Sequence, residues 1–415
     1  MSSLLLFIVQ AALVIACARL AGLVARRLRQ PMVVAEIVAG IALGPSLLGW
    51  LSPGAEAAIF PTGSLSHLSI VSQIGLLLFM FLVGLEFDAE MLRGRARAAV
   101  TISHSSIIVP FGLGLLFAMI VDSRLSSPSV PFRSFAMFMG VSMSITAFPV
   151  LARILSEQRM LRSEIGAMAI ACAAVDDITC WCILAFILAL VRATTLAGAV
   201  VTVVMAVGYT ALMIGFVRRL ANHFADRMPA VASQRLVAIT ILSIFASSAI
   251  TELIGIHALF GAFLCGTVIP RHHGIPGRIA GKLDDLVEVF MLPLFFAFSG
   301  LRTEIGLLDH GRDWLLCLLV IVVACLGKFG GSIVAARLSG FGWRQSSAIG
   351  ILMNTRGLVE LVVLNIGYDL GLVSSTLFTM LVIMALVTTF MTSPLLRWVY
   401  PVVPPVPTPS PLVDR

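Results

Sequence analysis

The stretch Ser163-Glu164-IGAMAIACAAV-Asp176-Asp177-ITCWCILAFILALV, residues 163–191, sets two adjacent carboxylates between apolar runs that together are long enough to cross a bilayer. At about 1.5 Å of rise per helical residue, Asp176 and Asp177 fall near the mid-depth of such a span. An ionisable side chain at that depth is costly by at least ~2.5 kcal/mol, so the pair is read as functional. Two carboxylates this close do not both ionise easily unless a cation joins them, which suits a site that trades protons for metal ions.

Composition supports the membrane setting. The 415 residues are 59% hydrophobic and 12% charged, with a mean hydropathy of +1.04, whereas a soluble domain carries about a quarter charged residues. The fold class expected is an all-α polytopic membrane protein. The N-terminal stretch MSSLLLFIVQAALVIACARL has no basic n-region and no small-residue cleavage site, so it is expected to be a spanning helix and not a cleaved signal. A net charge of +7 does not point to nucleic acid, because the arginines fall in short loops between apolar spans and report topology instead. The seven cysteines all lie in apolar segments, without CxxC or Cys/His spacing, so no cofactor or resident metal is expected. Cys180 and Cys182, close to the acid pair but two apart on a helix, face different ways and read as small packing residues.

Apolar windows predict thirteen spans, at about 4–25, 31–49, 66–87, 98–121, 133–154, 163–191, 195–217, 234–254, 256–270, 281–301, 313–337, 343–368 and 373–398. Alternate loops carry most of the arginine, at Arg26/Arg27/Arg29, Arg93/Arg95/Arg97, Arg153/Arg159/Arg162, Arg218/Arg219/Arg227/Arg235, Arg271/Arg278 with Lys282, Arg337/Arg344 and Arg397. The intervening loops hold only Arg124, Arg133, Arg192, Arg302 and Arg312. The positive-inside rule then places the N-terminus outside and the C-terminus in the cytoplasm. Residues 400–415 are Pro-rich and expected to be a disordered tail.

Two spans are interrupted. The fifth contains Ser144-Ile145-Thr146-Ala147-Phe148-Pro149 and the twelfth Met353-Asn354-Thr355-Arg356-Gly357. Proline removes a helical hydrogen bond, and glycine loosens the backbone beside polar side chains. Ordinary kinks would look similar, but each interruption neighbours a span with a mid-depth charge: Asp176/Asp177 after the fifth, Lys328 before the twelfth. Breaks at matching places in two halves point to a transporter with inverted repeats, here spans 4–6 and 11–13.

Lys328 is one of two lysines in a chain that otherwise uses arginine. A buried lysine can lose its proton whereas arginine effectively cannot, so the residue type permits a proton-coupled role as well as an ion pair with one of the aspartates. Arg356 is expected to compensate carbonyls at helix C-terminal ends where two broken helices meet, with Glu360 as its i,i+4 partner. Glu252, Glu36 and Glu86 read as structural or vestibular. His104 is read as a core histidine, and His272-His273 as a weaker candidate pH sensor.

At these residues the chain resembles the monovalent cation:proton antiporter-2 family. The matching stretches are AEIVAGIALGPSLLG, IGLLLFMFLVGLEFD, SITAFPVLARIL, AAVDDITCWCILA, IHALFGAFLCGTVIP, PLFFAFSGLRTEI, ACLGKFGGS and MNTRGLVELVVLNIG, in family order from about residue 30 to 370. The resemblance implies exchange of K⁺ or Na⁺ for H⁺ in the cell membrane by an elevator-like movement, within a homodimer embedded in lipid. It implies a transmembrane exchanger domain over residues 1–399 with two crossed discontinuous helices. Core helices fall at about 98–191 and 313–398, and dimerisation helices at about 1–87 and 234–301. By the same resemblance Asp177 binds cation or proton, Lys328 pairs with an aspartate, and Thr146 offers an oxygen to the ion. Pro149, Asn354, Thr355, Arg356 and Glu360 support the breaks.

In the wider superfamily an Asp-Asp pair accompanies electrogenic exchange and Asn-Asp electroneutral exchange, so Asp176 is a second candidate cation- and proton-binding residue, able with Lys328 to carry an additional proton per cycle, and it bears on whether a cycle moves net charge. Residues 400–415 leave no room for the nucleotide-binding regulatory domain of the glutathione-gated potassium efflux systems, and regulation through it in cis is not expected. The rival activity is a proton-independent gated cation channel. A membrane enzyme is set aside for want of a nucleophile–base motif, metal triad or cofactor fingerprint.

Overall fold

A computed structural model describes residues 2–28, 30–86, 96–121, 125, 130–158, 160, 163–192, 196–227 and 233–401. Arg29, Arg93, Arg95, Arg124, Arg159, Arg162 and the tail from residue 402 lie outside the described residues. The first helices are α1 (Ser3–Arg27), α2 (Met32–Leu43), α3 (Pro53–Ile59), α4 (Leu65–Glu86) and α5 (Ala96–Ile120). Next come α6 (Phe132–Ser144), α7 (Phe148–Glu157), α8 (Glu164–Arg192), α9 (Leu196–Leu212), α10 (Arg218–Arg227) and α11 (Ser233–Ile254). The last are α12 (Ala258–Thr267), α13 (Ile275–Leu286), α14 (Leu292–Leu301), α15 (Gly311–Leu338), α16 (Trp343–Met353), α17 (Leu358–Asp369) and α18 (Ser375–Val399). No strand occurs among the described residues.

Ten helical stretches among the described residues are long and apolar enough to cross a membrane. Each coincides with one of the thirteen predicted spans. The other three predictions fall where helices are short or broken: α6 with α7, α16 with α17, and α12, which is 10 residues long. Length and composition alone therefore support ten spans, not thirteen. The protein is a multi-pass membrane protein.

Packing follows small residues. In lipid the hydrophobic effect does little to drive helices together, so close approach depends on residues without bulk. α5 lies against α6, α8 and α15, and α15 also meets α16 and α18. At Gly331 of α15 a Cβ would sit 2.5 Å from the Ser105 carbonyl oxygen of α5, and at Gly327 it would sit 2.7 Å from Pro110 Cα. These two glycines let α15 press onto α5, and Lys328 lies between them. A second group joins α4 to α12 and α14, α2 to α1 and α14, and α11 to α12. The two groups touch where α14 meets α17 and α2 meets α18.

Candidate ion-binding site

The first interruption separates α6, ending at Ser144, from α7, beginning at Phe148. Pro149 is the second residue of α7, in the first turn, where a missing N–H removes no intrahelical bond. Proline thus opens the second half-helix, and the break is the non-helical run Ile145–Thr146–Ala147 before it. The second interruption leaves Asn354, Thr355, Arg356 and Gly357 between α16 and α17. Non-helical backbone at membrane depth must satisfy its polar groups inside the protein.

The two breaks satisfy one another. The Ala147 N–H donates to the Thr355 carbonyl at 2.9 Å, and the Thr146 hydroxyl lies 2.9 Å from the Met353 carbonyl. The fully buried Arg356 donates to the carbonyls of Ser142 and Met143, each at 2.6 Å, in the last turn of α6. Those carbonyls lack helical partners and carry the negative end of the helix dipole, so a cation is favourable there. Arg356 also donates to Glu360 Oε2 at 2.8 Å, the i,i+4 pair predicted from sequence. Thr389 of α18, a residue the sequence did not single out, clamps the same position. Its hydroxyl donates to the Arg356 carbonyl at 2.6 Å and accepts from the Arg356 N–H at 3.0 Å. The Thr355 hydroxyl donates to Leu352 O at 2.7 Å. Asn354 Nδ2 lies 3.6 Å from Cys325 Sγ, and Asn354 Oδ1 has no partner among the described residues.

α8 presents its two acids to different surroundings. Asp176 has partners on both oxygens: Oδ1 accepts from Ser103 at 2.8 Å and Ser106 at 3.0 Å, and Oδ2 accepts from Lys328 at 3.0 Å and shares with the Met353 carbonyl the single proton of Thr146, whose hydroxyl lies 2.5 Å away. Lys328 Nζ also reaches Thr146 Oγ1 at 2.7 Å and Ser106 Oγ at 3.5 Å. The Thr146 hydroxyl therefore belongs here to the Asp176–Lys328 pair. Asp177 is 4% exposed, and its Oδ1 has no partner among the described residues. The Phe148 backbone N–H, at the start of α7, is a hydrogen-bond donor to its carboxylate. Helix N-termini favour negative charge, which makes this an apt seat for a carboxylate.

Ser103 and Ser106 were not singled out from sequence, although Ser103-His104-Ser105-Ser106 is an unusually polar run for a span and sets two hydroxyls three residues apart on one helical face. The other candidates lie elsewhere. His104 is exposed, with Nδ1 2.9 Å from the Val100 carbonyl, so it is not a core histidine. Glu252 accepts from the Ala258 N–H at 3.0 Å, and His257 caps α12. Glu36 is buried on α2, and Glu86 is exposed at the end of α4. Cys180 is buried while Cys182 is exposed, as their spacing predicts.

A cleft between α4, α14 and α17 is lined by Ser72, Gln73, Phe295, Val362 and Asn365. Arg302, just past α14, ties this side to α17 by donating to Asn365 Oδ1 at 3.1 Å and Asp369 Oδ1 at 2.7 Å.

Comparison with known proteins agrees with this architecture. Residues 12–398 match the family described as sodium/hydrogen exchanger, transmembrane. The chain is 42% identical over 403 residues to the Na(+)/H(+) antiporter NhaS4 of Synechocystis, covering 96% of this chain and 98% of that protein. It is 40% identical to Cation/H(+) antiporter 17 of Arabidopsis thaliana over 95% of this chain and 48% of that protein, so it spans about half the length of the plant relative. In fold it is similar to the solved sodium proton antiporter MjNhaP1 of Methanocaldococcus jannaschii, with a TM-score of 0.66, 15% identity and coverage of 95% of this chain and 96% of that one.

Proposed function

Because this chain belongs to the transmembrane sodium/hydrogen exchanger family, we propose that it exchanges a monovalent cation, Na⁺ or K⁺, for H⁺ at Asp177. The observation that carries the reading is the contrast between the two adjacent acids. Asp176 has hydrogen-bond partners on both oxygens, whereas the buried Asp177 keeps an oxygen without a partner among the described residues, beside the N-terminus of α7.

A proton on Asp177 neutralises the site. An alkali ion displaces that proton, held by the carboxylate together with carbonyl or hydroxyl oxygens from the breaks, including Thr146. Either cargo lets the site cross the barrier, while an empty charged site faces a desolvation penalty of several kcal/mol and stays in place. That penalty couples the two fluxes.

The separate packing of α5–α8 with α15–α18, against α1–α4 with α11–α14, supports an elevator in which the first group moves within a homodimer held by the second. Counting each broken pair as one crossing and α12 as another gives thirteen, with the N-terminus outside and the C-terminus in the cytoplasm of the cell membrane. The relatives' names differ in the ion, Na⁺ for the cyanobacterial protein and an unspecified cation for the plant one. A proton-independent channel is not favoured, since those relatives are named as antiporters.

Reconstitution into proteoliposomes with a pH gradient tests the reading. Wild-type protein is expected to drive Na⁺ or K⁺ flux coupled to pH collapse, and Asp177→Asn to abolish it. Full ΔpH-driven flux in Asp177→Asn would sink the assignment.

A further inference from the structure

We infer that Arg302 is the centre of a latch that fastens α17 to α14 in the arrangement described here, and that the latch has to open whenever the first group of helices moves against the second. This rests on the elevator reading above and names the contact that such a movement must break.

Within each group, helices meet backbone to backbone. A Cβ at Gly40 of α2 would sit 2.3 Å from the Ala297 carbonyl oxygen of α14, and one at Gly84 of α4 would sit 2.1 Å from the Phe263 carbonyl oxygen of α12. Gly331 does the same between α15 and α5. Among the described residues, every glycine whose Cβ would come under 3.0 Å from backbone faces an element of its own group. Helices locked in this way do not slide past one another.

The seam between the groups is built from side chains. Residues 299–304, at the end of α14, meet residues 365–379 of α17 and α18. Arg302 donates to Asn365 Oδ1 and Asp369 Oδ1. Asn365 Nδ2 donates to Ser299 Oγ at 2.8 Å, and the Glu304 N–H donates to Thr379 Oγ1 at 3.1 Å. The guanidinium also meets one ring from each helix, 4.2 Å from the Phe298 centroid on α14 and 5.4 Å from the Tyr368 centroid on α17. Its planar fork bonds in the plane while its face meets an aromatic ring, which lysine does not reproduce. Where α2 meets α18, Gln30 donates across the seam to the Phe390 carbonyl at 3.2 Å.

Burial shows why this contact can open. Ser299 and Asn365 are buried, but the Arg302 side chain is 20% exposed and that of Asp369 47%. An ion pair so open to water is weak enough to be broken in every cycle. The cleft beside it separates α17 from α4, and Ser72 Oγ lies buried there with no partner among the described residues. On the orientation proposed above, the latch closes the outer end of the seam.

The test is a reversible bridge across the seam in proteoliposomes. Arg302→Cys/Asp369→Cys is treated with a short reducible bis-methanethiosulfonate, and bridging is scored by intact mass. The bridged protein is expected to lose exchange and to regain it on reduction. Treated wild type, with its native cysteines, and each treated single variant are expected to keep it. Ser299→Cys/Asn365→Cys, whose side chains touch one turn further in, gives a second bridge should the first pair fold poorly. Exchange at the unbridged rate in a bridged protein would overturn the inference and leave exchange at Asp177 intact. Failure of both pairs to bridge would overturn it too, since the helices would not meet as described.

A second arm weighs the ion pair itself. Arg302→Gln and Asp369→Asn should each shift the apparent cation constant in opposite directions at the two faces of uniformly oriented vesicles, by up to about fivefold. Arg302→Asp/Asp369→Arg is expected to bring both constants back. Constants unchanged in all three variants would remove Arg302 as the latch. Wild-type cation flux without any proton coupling would instead defeat the exchange reading, whether or not the bridge stops it.

Discussion

Lys328 Nζ lies 3.0 Å from Asp176 Oδ2, and neither side chain is exposed to solvent. Taking both charges out of water is expensive, and their attraction repays it only when further hydrogen bonds satisfy what remains. Ser103 and Ser106 of α5 and Thr146 of the first break supply those bonds. The pair thus ties α5, the first break, α8 and α15 together at one point.

Removing one partner should destabilise more than removing both. Lys328→Ala leaves Asp176 as an unpaired buried anion, a loss of about 3–5 kcal/mol. A large drop in detergent melting temperature is expected, with part of it recovered in Lys328→Ala/Asp176→Asn. A double variant that melts below the single one would show that the pair does not act as a unit.

Asp177 should behave in the opposite way. Its Oδ1 has no donor to lose among the described residues, so Asp177→Asn is expected to melt close to wild type while exchange disappears. On the proposed competition of proton and cation for this carboxylate, acidification should raise the apparent cation constant and leave the maximal rate unchanged. The rise approaches about tenfold per pH unit once the site is mostly protonated. Initial rates against cation concentration at several pH values measure this directly. A constant that stays flat through the acid range would remove competition from the mechanism.

Arg356 is expected to tolerate no replacement. Its guanidinium serves two carbonyls of α6 and one carboxylate at once, through a planar fork that lysine does not reproduce. Arg356→Lys should therefore lose stability and exchange together, with a melting loss near that of a broken buried pair, about 3–5 kcal/mol. Glu360→Gln removes the charge but keeps an acceptor for Arg356, and is expected to cost less. Equal melting of Arg356→Lys and wild type would show that one carbonyl suffices.

Most of this arrangement was legible in the sequence because lipid makes the code strict. A proline, a glycine and several polar residues at mid-span have few readings, and an acid pair at that depth has fewer. Both breaks, the Arg356–Glu360 pair and an aspartate partner for Lys328 follow from that logic. The division of labour between Asp176 and Asp177 was suggested by resemblance alone, since residue spacing cannot say which acid meets the lysine. Thr146 was expected to serve the ion through its oxygens, yet its hydroxyl spans the Asp176–Lys328 pair. The serines of α5 and Thr389 escaped notice because hydroxyls are common in spans and usually bond their own helix, as Thr388 does to the Met384 carbonyl at 2.8 Å. Only the packing of α5 against α8 and α15 shows where Ser103 and Ser106 point.

That packing gives the most discriminating structural test. Gly330 and Gly331 are adjacent on α15, yet a Cβ at Gly330 meets nothing within 4 Å while one at Gly331 sits 2.5 Å from the Ser105 carbonyl oxygen. Backbone cannot swing aside, so Gly331→Ala must push α15 away from α5 and stretch the contacts between Lys328 and Ser106. Overpacking of this kind costs about 1–3 kcal/mol, and the displaced lysine should lower exchange as well. Gly330→Ala meets no obstacle and gains helix propensity of up to ~1 kcal/mol, so it should melt at or above wild type with exchange intact. The comparison holds residue type and helix constant and varies only the face presented to α5. Two alanine variants with the same melting temperature and the same transport rate would mean that contact between α15 and α5 does not set the position of Lys328.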